Sequence, residues 1–557
     1  MEMRGSDIVI ECLLEQGVDT VFGYPGGAIL NIYDSLYRYS NKIRHILAAH
    51  EQGAAHAADG YARSTGKTGV VFATSGPGAT NLVTGIATAY MDSVPMVAIT
   101  CNVGTAYLGK DSFQEIDIVG ITIPITKHNF LVKRAEDIAP AIRQAFVIAA
   151  SGRPGPVLID ITKDATENLT EYERMVPQKA DNTKTEFTPR ELTKAVKLIE
   201  KAKRPLIYAG GGVIAADASK ELQQFQSLID APVTLSLMGL GGFPASHSVY
   251  TGMIGMHGTK TTSLAIKECD LLIAIGARFS DRVTCDTDTF AKDTKILHID
   301  ADRAEIDKNV LTDAYLVGDA KAVLSALCKK LKTPQRHPEW LKKIAGWKGA
   351  YPTFQPECER LTPQAVLETL HTATGGDAII CTDVGQHQMW TAQFYGFDKP
   401  RHFLSSGGLG TMGYGLGAAI GAQAGNPDAN VINVTGDGCF HMNCNELSTA
   451  VKQKLPVIDI IMNNNVLGMV RQWQRLFYEE RFSETTLDKK TDYDMVAKGF
   501  GANAYTVRTQ EELEAAVKAA LACRTLPTVI NCIIDSDQTV LPMVPSGNSI
   551  QEPLLEL

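Results

Sequence analysis

Short apolar runs rich in β-branched residues alternate with longer amphipathic segments along most of this 557-residue chain. Examples of these runs are Gly69-Val-Val-Phe-Ala-Thr74, Leu271-Leu-Ile-Ala-Ile275 and Val431-Ile-Asn-Val-Thr435. Continuously apolar strands that alternate with helical segments of about 10–15 residues are typical of βαβ units, in which helices cover both faces of a parallel sheet. We therefore predict an α/β fold built from doubly wound parallel sheets.

Two stretches with little strand pattern divide the chain into three parts. The first is polar and covers residues 178–188, and the second, from Lys332 to Pro363, carries five prolines. We interpret both as linkers, because each remaining part is long enough to bury its own core. The predicted domains cover residues 1–175, 190–330 and 364–540.

The outer domains contain a possible internal repeat. A strand ends in Ser75-Gly-Pro-Gly78 in the first and in Thr435-Gly-Asp-Gly438 in the third, and a proline opens the next strand in both. The step from Gly76 to Pro95 is 19 residues, and the step from Gly436 to Pro456 is 20. Unrelated βαβ units often share such lengths, so the spacing alone leaves duplication and coincidence open.

The composition narrows the class of protein. Lys and Arg total 53 against 62 for Asp and Glu, a formal net charge of −9, which argues against a nucleic-acid binder. The eleven cysteines are scattered without a C-x-x-C pair. No apolar run approaches the roughly 18 residues of a membrane-spanning helix. We predict a cytoplasmic protein that binds neither nucleic acid nor membrane.

The strongest chemical signal is Gly436-Asp437-Gly438, which 24 residues separate from Asn463-Asn464. Both motifs end predicted parallel strands, so Asp437 and Asn464 should converge on one crevice at the carboxyl edge of the sheet. A carboxylate and an amide oxygen suit an Mg²⁺ ion that also binds phosphate oxygens. An Asx turn beside a loop asparagine pair is the alternative, and the spacing of the two motifs favours the metal.

Other candidates are ambiguous from the residues alone. Glu51 opens a small-residue helix, where a glutamate is also favoured by the helix dipole. The triplet Gly210-Gly-Gly212 after a strand is weak evidence for a nucleotide site. Met412 could equally belong to the core, and Arg278 with Arg282 could be a solvated surface pair.

Together, eight further motifs resemble the acetohydroxyacid synthase family of thiamine-diphosphate enzymes, in order along essentially the whole chain. They are Tyr24-Pro-Gly-Gly-Ala-Ile-Leu30, His50-Glu-Gln-Gly-Ala54, Thr74-Ser-Gly-Pro-Gly-Ala-Thr80, Ser151-Gly-Arg-Pro-Gly-Pro156, Gly276-Ala-Arg-Phe-Ser-Asp-Arg282, Asp383-Val-Gly-Gln-His-Gln388, Gly407-Gly-Leu-Gly-Thr-Met412 and Gly468-Met-Val-Arg-Gln-Trp473. The chain departs from the family pattern at Thr162, Ser280, Gly438 and Cys439, and none of these removes a metal-binding group.

The resemblance implies an architecture and an activity. The family has a pyrimidine-binding N-terminal domain, a central FAD-binding domain and a diphosphate-binding C-terminal domain, with related outer domains. With thiamine diphosphate, Mg²⁺ and FAD it decarboxylates pyruvate and condenses the hydroxyethyl carbanion with pyruvate or 2-ketobutyrate. The products, 2-acetolactate and 2-aceto-2-hydroxybutyrate, belong to branched-chain amino-acid biosynthesis. Active sites lie between subunits, which implies a homodimer or a dimer of dimers, usually with a small regulatory subunit.

The resemblance also implies a role for individual residues. Glu51 would bond the aminopyrimidine nitrogen N1′, with Gly27, Gln114 and Lys163 completing the catalytic pocket. The metal ligands would be Asp437, Asn464 and the carbonyl of Val466. Arg282 would bind a substrate carboxylate, and Trp473 would favour 2-ketobutyrate. The remaining thiamine-diphosphate contacts would be Val384, Gly385, Gln386, His387, Gly410, Met412, Gly436, Gly438, Cys439, Gly468 and Met469. The FAD contacts would be Arg153, Gly210, Gly211, Gly212, Met256, His257, Gly258, Gly276, Ala277, Arg278, Asp300 and Asp319.

Two related activities stay open. One is a catabolic acetolactate synthase without flavin, against which Arg278, Arg282 and Trp473 argue. The other is a pyruvate-oxidase-type oxidoreductase, in which electrons leave through FAD. In the resembled family FAD has a mainly structural role, so an FAD site alone does not predict an oxidase.

Overall fold

The computed structural model describes residues 1–178, 180–181, 185–355, 360–487, 490–545 and 547–556. Three six-stranded parallel sheets succeed one another along the chain, each flanked by helices. The strands of each sheet fall within one of the three predicted domains, whose exact boundaries stay predictions. None of the helices in these ranges is long and apolar enough to cross a membrane.

The first sheet is built from the apolar runs of the N-terminal third, and its order is β3-β2-β4-β5-β7-β6. The strands are β1 (Glu2–Arg4), β2 (Thr20–Gly23), β3 (Arg44–Leu47), β4 (Gly69–Ala73), β5 (Met96–Asn102), β6 (His128–Val132), β7 (Pro156–Thr162) and β8 (Leu169–Glu171), of which β1 and β8 form a separate antiparallel pair. The helices are α1 (Gly5–Glu15), α2 (Leu30–Arg38), α3 (Glu51–Thr65), α4 (Pro77–Asn81), α5 (Val83–Met91), α6 (Ile118–Thr122), α7 (Ile138–Ala150) and α8 (Lys163–Glu167).

The central sheet has the order β11-β10-β9-β12-β13-β14. Counted within the domain this is 3-2-1-4-5-6, the order of dinucleotide-binding folds. Its strands are β9 (Pro205–Ala209), β10 (Val233–Leu235), β11 (Tyr250–Met253), β12 (Leu271–Ile275), β13 (Lys295–Asp300) and β14 (Ala314–Val317). Its helices are α9 (Pro189–Lys201), α10 (Gly211–Ala215), α11 (Ser219–Ile229), α12 (Lys260–Glu268), α13 (Asp281–Thr284) and α14 (Ala320–Lys330).

The stretch from Lys332 to Pro363, interpreted as a linker with little strand pattern, contains no strand among its described residues but does contain the helix α15 (Pro338–Ala350), which the interpretation missed. Pro338 occupies the first helical turn, where its missing N–H has no partner to lose. Trp340 packs beneath the central domain and donates a hydrogen bond from Nε1 to the Pro205 carbonyl at 2.9 Å. Residues 356–359 of this stretch and residues 179 and 182–184 of the first predicted linker lie outside the described residues.

The C-terminal sheet has the order β16-β15-β17-β18-β20-β19. Counted within each domain, the first and third sheets share the order 2-1-3-4-6-5, which supports the predicted repeat. The strands are β15 (Ile379–Thr382), β16 (Phe403–Ser405), β17 (Val431–Gly436), β18 (Ile458–Asn463), β19 (Asn503–Val507) and β20 (Thr528–Ile533). The helices are α16 (Pro363–Thr374), α17 (Gln386–Phe394), α18 (Gly415–Gly425), α19 (Asp437–Asn443), α20 (Leu447–Gln453), α21 (Gly468–Phe477), α22 (Tyr493–Phe500) and α23 (Gln510–Ala522).

The two outer domains meet through α3 and α18, which are equivalent helices of the repeat. Small residues let the helix backbones approach closely, since the side chains at a contact set the distance between axes. A Cβ atom on Gly421 would lie 1.8 Å from the Ala57 carbonyl oxygen, and one on Gly60 would lie 2.1 Å from that of Ala418. This packing fixes the relative position of the two sheets that carry the predicted site.

Candidate active site

The predicted diphosphate and metal motifs lie where the strand order of the C-terminal sheet reverses. Neighbouring strands β15 and β17 lead to helices on opposite sides of this point, and ligands of open α/β sheets bind in the crevice there. The turn 383–386 follows β15, and Asp437 opens α19 directly after β17. The topology therefore brings two motifs more than 50 residues apart to one edge.

The Asn464 side chain of the predicted metal set is held in place by neighbouring groups. Asn464 and Asp437 are both buried. The Asn464 Nδ2 donates to Gln386 Oε1 at 3.3 Å, while its Oδ1 accepts from the Val466 N–H at 3.2 Å and keeps a second lone pair. Gln386 is fixed in turn through Nε2, which donates to Gln472 Oε1 at 3.0 Å. The amide oxygen of Asn464 thus has a defined orientation.

The backbone at Val466 is also suited to a metal ligand. Val466 forms an antiparallel bridge with Thr486, but the hydrogen bonds of the bridge run from Leu467 to Thr485 and from Leu487 to Asn465. The Val466 carbonyl therefore stays outside this ladder. Within the described ranges no three His, Cys, Asp or Glu residues could hold a metal together. The predicted set needs no such cluster, because one carboxylate, one amide and one carbonyl supply hard oxygen ligands.

The turn around His387 has room for a ligand with a polar group, because glycines surround the imidazole ring. Gly385 has a φ of +155°, and a Cβ atom there would lie 2.9 Å from His387 Cε1. A Cβ atom on Gly436 would lie 3.0 Å from His387 Nδ1. Burial lowers the pKa of His387 to about 3, so the ring is neutral, and its buried Nε2 has no hydrogen-bond partner among the described residues. Buried polar atoms are normally paired, which fits a ligand here.

Residues predicted to lie beneath the cofactor line the same crevice. The Met412 methyl carbon is 3.8 Å from the position of a Cβ on Gly438, and Gly410 adopts a φ of +74°. The Cys439 thiol donates to the Val384 carbonyl at 3.3 Å. Burial raises the pKa of this thiol well above its usual value, so Cys439 is a neutral hydrogen-bond donor.

Helix α21 begins against the same crevice. A Cβ atom on Gly468 would lie 1.9 Å from Gln386 Oε1, so a side chain there would displace this amide. The next residue, Met469, is partly buried and packs on the adjoining core.

Glu51 lies at the equivalent end of the N-terminal sheet. It is the first residue of α3 and is 8% exposed, and its Oε2 accepts from Asn81 Nδ2 at 2.9 Å. Its other oxygen, Oε1, is 3.1 Å from the position of a Cβ on Gly78, so a glycine leaves room beside it. The carboxylate is thus sheltered, oriented on one side and open on the other.

The other three predicted catalytic residues, Gly27, Gln114 and Lys163, differ in their surroundings. Gly27 has open space beside it, and Gln114, with a φ of +60°, packs so that a Cβ on Gly76 would lie 2.9 Å from its own Cβ. Lys163 is exposed at the start of α8, where its ammonium is 4.0 Å from Glu167. Within the described residues, the hydrogen bonds of Glu51 and of Asn464 stay inside their own domains.

Sequence reasoning missed Glu446, which lies just before α20 in the C-terminal domain. Its buried carboxylate accepts from the N–H groups of Ala49 and His50, at 3.1 and 3.0 Å, directly before Glu51. Burial raises its pKa. A glutamate that caps the start of a helix 400 residues away has no sequence signal, because only the domain packing brings the two together.

Two glycine-containing groups of the predicted FAD residues lie where the strand order of the central sheet reverses, between β9 and β12. Gly210–Gly212 follow β9 and Gly276–Arg278 follow β12. A Cβ on Gly212 would lie 2.6 Å from the Gly276 Cα, and Gly276 has a φ of +54°. These glycines let the two strand ends touch, and they place no side chain where a dinucleotide would approach.

Acidic residues and an arginine surround the neighbouring strand ends. Burial raises the pKa of Asp300, at the end of β13, to about 6. Asp319 caps α14 by accepting from the Ala322 N–H at 3.0 Å. Arg153 reaches from the N-terminal domain, with Nη1 3.1 Å from Glu305 Oε1. Arg153 therefore reaches the central domain, where Glu305 holds it, and its contact with FAD stays a prediction.

The segment Met256-His257-Gly258 joins the central and C-terminal domains. Met256 donates its N–H to the Arg282 carbonyl at 2.8 Å and accepts from the Val544 N–H at 2.8 Å. Burial lowers the pKa of His257 to about 4, and its Nδ1 is buried without a partner in the described part of the chain. The buried Ala277 pairs through its carbonyl with His298 Nε2 at 3.1 Å.

The two residues predicted to bind substrate lie together. The Arg282 guanidinium carbon is 5.7 Å from the centre of the Trp473 ring, although the residues belong to different domains. Arg282 remains 58% exposed, and its nearest carboxylate is that of Asp281 at 3.8 Å. An exposed guanidinium beside an indole can receive a small carboxylate with an apolar substituent.

Comparisons with known proteins cover all three domains. Models of thiamine pyrophosphate enzymes match residues 3–121 (N-terminal TPP binding domain), 192–327 (central domain) and 383–532 (C-terminal TPP binding domain). The acetolactate synthase large subunit of Corynebacterium glutamicum is 50% identical, over 98% of this chain and 89% of that protein. The probable acetolactate synthase large subunit of Methanocaldococcus jannaschii is 47% identical, over 98% and 94%. The large subunit of Haemophilus influenzae is 43% identical, over 100% and 98%. This chain therefore belongs to the thiamine pyrophosphate enzymes, and within them to the family of acetolactate synthase large subunits.

Proposed function

We propose that the chain decarboxylates pyruvate and joins the remaining two-carbon unit to a second pyruvate or to 2-ketobutyrate. The products would be 2-acetolactate and 2-aceto-2-hydroxybutyrate, for the synthesis of valine, leucine and isoleucine. The observation that carries the proposal is the oxygen set of Asp437, Asn464 and Val466 at the reversal of the C-terminal sheet, in a chain that matches this family over its whole length.

The residues of this crevice fit a diphosphate with one divalent cation. Asp437, Asn464 and the Val466 carbonyl would hold Mg²⁺, and the His387 turn with the N-terminus of α19 would hold the phosphates. The buried Nε2 of His387, which has no hydrogen-bond partner in the described ranges, supports this assignment. Once bound there, thiamine diphosphate supplies the carbon nucleophile and electron sink that decarboxylation requires, which no side chain can replace.

Glu51 would hold a proton at its open oxygen Oε1 and share it with the aminopyrimidine nitrogen. Asn81 supports this role, because its amide fixes Oε2 and leaves Oε1 facing the space beside Gly78. A general acid or base of this kind contributes about 10²–10⁴-fold to rate. Gln114, Gly27 and Lys163 would line the space for the ketoacids, with Lys163 moving away from Glu167 to do so.

Arg282 and Trp473 would select the second substrate. The guanidinium would bind the carboxylate, and the indole would contact the extra methylene of 2-ketobutyrate, which is worth about 1–3 kcal/mol in such pockets. Their adjacency supports this assignment, since one small ketoacid could touch both side chains at once.

FAD is the proposed ligand of the central domain. The 3-2-1-4-5-6 strand order, the touching glycines at its reversal point and the unpaired Nδ1 of the buried His257 support a dinucleotide there. Arg153 would have to exchange Glu305 for a phosphate to take part. We assign the flavin a structural role, because the condensation involves no net oxidation.

The proposed assembly is a homodimer or dimer of dimers with a regulatory subunit. Two observations support it. Glu51 and the metal set occupy different domains without a shared hydrogen bond among the described residues, and the relatives are named large subunits. The ten cysteines in the described ranges are free thiols, which supports the cytoplasm as the compartment.

The test is an assay of the purified protein with pyruvate, thiamine diphosphate, Mg²⁺ and FAD. We expect 2-acetolactate to form without oxygen consumption and the protein to carry a flavin absorbance. Oxygen uptake or quinone reduction that exceeds the yield of acetolactate would select the pyruvate-oxidase alternative. Full activity in a colourless protein would select the flavin-free catabolic one.

A further inference from the structure

A buried ion cluster of the N-terminal domain holds segment 405–414 of the C-terminal domain. Asp59 and Arg63 lie on α3, and Asp92 directly follows α5. The Asp59 and Asp92 side chains are fully buried, and that of Arg63 is 10% exposed. The segment contains Gly410 and Met412, for which the family resemblance implies contacts with the cofactor.

One end of the segment is bonded to Arg63, and the other end is bonded to Asp59, the ion-pair partner of Arg63. Arg63 donates through Nε and Nη2 to the two oxygens of Asp59, through Nη2 to Asp92 Oδ2 at 3.0 Å, and through Nη1 to the Ser405 carbonyl at 2.9 Å. At the other end, the Tyr414 hydroxyl donates to Asp59 Oδ1 at 2.7 Å. Residues 406–413 are therefore clamped between two anchored ends.

Asp92 also binds the backbone of the segment directly. Its Oδ2 accepts from the Gly407 N–H at 3.0 Å and its Oδ1 from the Gly408 N–H at 2.7 Å. Successive N–H groups that converge on one anion form a concave binding site for it. A Cβ atom on Gly408 would lie 2.9 Å from Asp92 Oδ1, so a side chain there would push the carboxylate away.

The charges around Asp92 explain why its contact with Gly407 and Gly408 fixes the position of segment 405–414. Two buried carboxylates share the single guanidinium of Arg63, so hydrogen-bond donors must stabilise the remaining negative charge. The amides of Gly407 and Gly408 supply these donors to Asp92. If the segment moved away, the Asp92 carboxylate would lose two of the three donors that the described residues supply, so the segment is held by charge as well as by packing.

Further contacts connect the segment to helix α5 and to the turn that contains Asp437. The Thr88 and Thr411 hydroxyl oxygens are 2.8 Å apart, which ties the middle of the segment to α5. Met412 follows directly, with its methyl carbon 3.8 Å from the position of a Cβ on Gly438, beside Asp437. Asp92 therefore sets the position of Gly408, and the four residues that follow it lead to Met412 in the crevice of the predicted metal site.

We propose that Asp92 and Arg63 are positioning residues for thiamine diphosphate, acting through Gly407–Met412. The inference rests on the proposed function, in which Gly410 and Met412 contact the cofactor. Asp92 touches neither substrate nor cofactor in this account. Its effect on the cofactor comes entirely from where it holds the segment.

The test compares Asp92→Asn with Glu15→Gln in the full-length protein. Glu15 is a matched control, because it is also a buried carboxylate that accepts from an arginine, with Arg143 Nε and Nη2 at 2.8 Å, and from a backbone N–H, that of Met175 at 3.0 Å. It lies in the same domain and contacts no residue of segment 405–414 among these bonds. Calorimetric titration with thiamine diphosphate and Mg²⁺, without substrate, gives the dissociation constant, and thermal unfolding gives the stability.

We expect both variants to lose stability, but only Asp92→Asn to weaken cofactor binding, by about tenfold or more, since it removes the charge and turns one of the two accepting oxygens into an NH2 group that faces a glycine N–H. Equal dissociation constants in the two variants would overturn the inference. If Asp92→Asn does not fold, Thr88→Val removes only the hydroxyl contact, and we expect about threefold weaker binding. Wild-type affinity in Thr88→Val would then overturn the inference. Wild-type protein that binds no thiamine diphosphate would instead overturn the proposed function itself.

Discussion

The guanidinium of Arg282 lies 5.7 Å from the ring of Trp473, across the boundary between the central and C-terminal domains. The indole Nε1 is buried without a hydrogen-bond partner in the described ranges, while Phe477 packs edge-on against the ring at 5.8 Å. The pair combines a cation, an apolar face and an unused donor. A short 2-ketoacid presents a carboxylate, an alkyl group and a carbonyl oxygen, which correspond to these three features.

Replacing Trp473 with Leu tests the apolar part of this pocket. We expect the ratio of 2-aceto-2-hydroxybutyrate to 2-acetolactate, formed from equal concentrations of 2-ketobutyrate and pyruvate, to fall about tenfold, because contact with the extra methylene is lost. Phe477→Leu is the control, since it removes the neighbouring ring and leaves the indole in place. An unchanged product ratio in Trp473→Leu would show that acceptor choice lies elsewhere.

Mixing two inactive variants tests whether one site draws residues from two chains. We expect Glu51→Gln and Asp437→Asn each to lose at least about 100-fold in rate, one through proton transfer and the other through the metal. After dissociation and reassembly of an equal mixture, hybrid dimers would contain one site with both native residues, and activity would return. A mixture as inactive as its components would place Glu51 and Asp437 of the same chain in one site.

Removing the metal tests the oxygen set. Ligand at 100 times its dissociation constant stabilises a protein by about 2.7 kcal/mol, so thiamine diphosphate with Mg²⁺ should raise the unfolding temperature of the wild type. A chelator should abolish this rise, and Asp437→Asn should show little of it at any Mg²⁺ concentration. The unfolding temperature is measured by differential scanning fluorimetry. A full rise in the presence of chelator would mean that the diphosphate binds without a metal.

Features that depend on residues close together in the sequence could be predicted, whereas features that depend on contacts between domains could not. The apolar runs predicted strands such as β4, β12 and β17 nearly to the residue, because a buried strand is a short continuous pattern. The site of Asp437 and Asn464 followed from chain order, since strand ends in one parallel sheet share an edge. Helix α15 was missed because the stretch was judged by its prolines and its lack of strand pattern, although Pro338 starts the helix.

Features that depend on packing between domains could not be predicted. Glu446 near His50, Asp92 at Gly407–Gly408 and Arg282 beside Trp473 each join residues at least 190 positions apart. Nothing in the local pattern of either partner specifies the other. The resemblance had named Arg282 and Trp473 separately, and the fold shows that they are neighbours.

A pH prediction follows from the core of the C-terminal domain. Burial raises the pKa of Asp459 to about 7, and Asn433 Nδ2 donates to its Oδ1 while Oδ2 has no partner in the described chain. The folded protein therefore binds a proton that the unfolded chain releases near pH 4, so this residue destabilises the fold as the pH rises from about 4 to 7. Asn resembles the protonated acid in shape.

We therefore expect Asp459→Asn to become more stable relative to the wild type as the pH rises from 4 to 8, by an amount on the order of a few kcal/mol. Urea denaturation of both proteins at several pH values measures the difference. The conservative Asp428→Asn, at an exposed position, is the control and should show little pH-dependent difference. A difference that shrinks with rising pH would contradict the assignment of a protonated Asp459.

The stoichiometry of the reaction with pyruvate alone tests the central claim most directly. Pyruvate consumed, carbon dioxide released and 2-acetolactate formed are measured together in a closed vessel with thiamine diphosphate, Mg²⁺ and FAD. We expect two pyruvates to be consumed for each carbon dioxide and each 2-acetolactate, with no oxygen uptake. Equal consumption of pyruvate and release of carbon dioxide, with acetate, acetyl phosphate or acetaldehyde in place of 2-acetolactate, would contradict it.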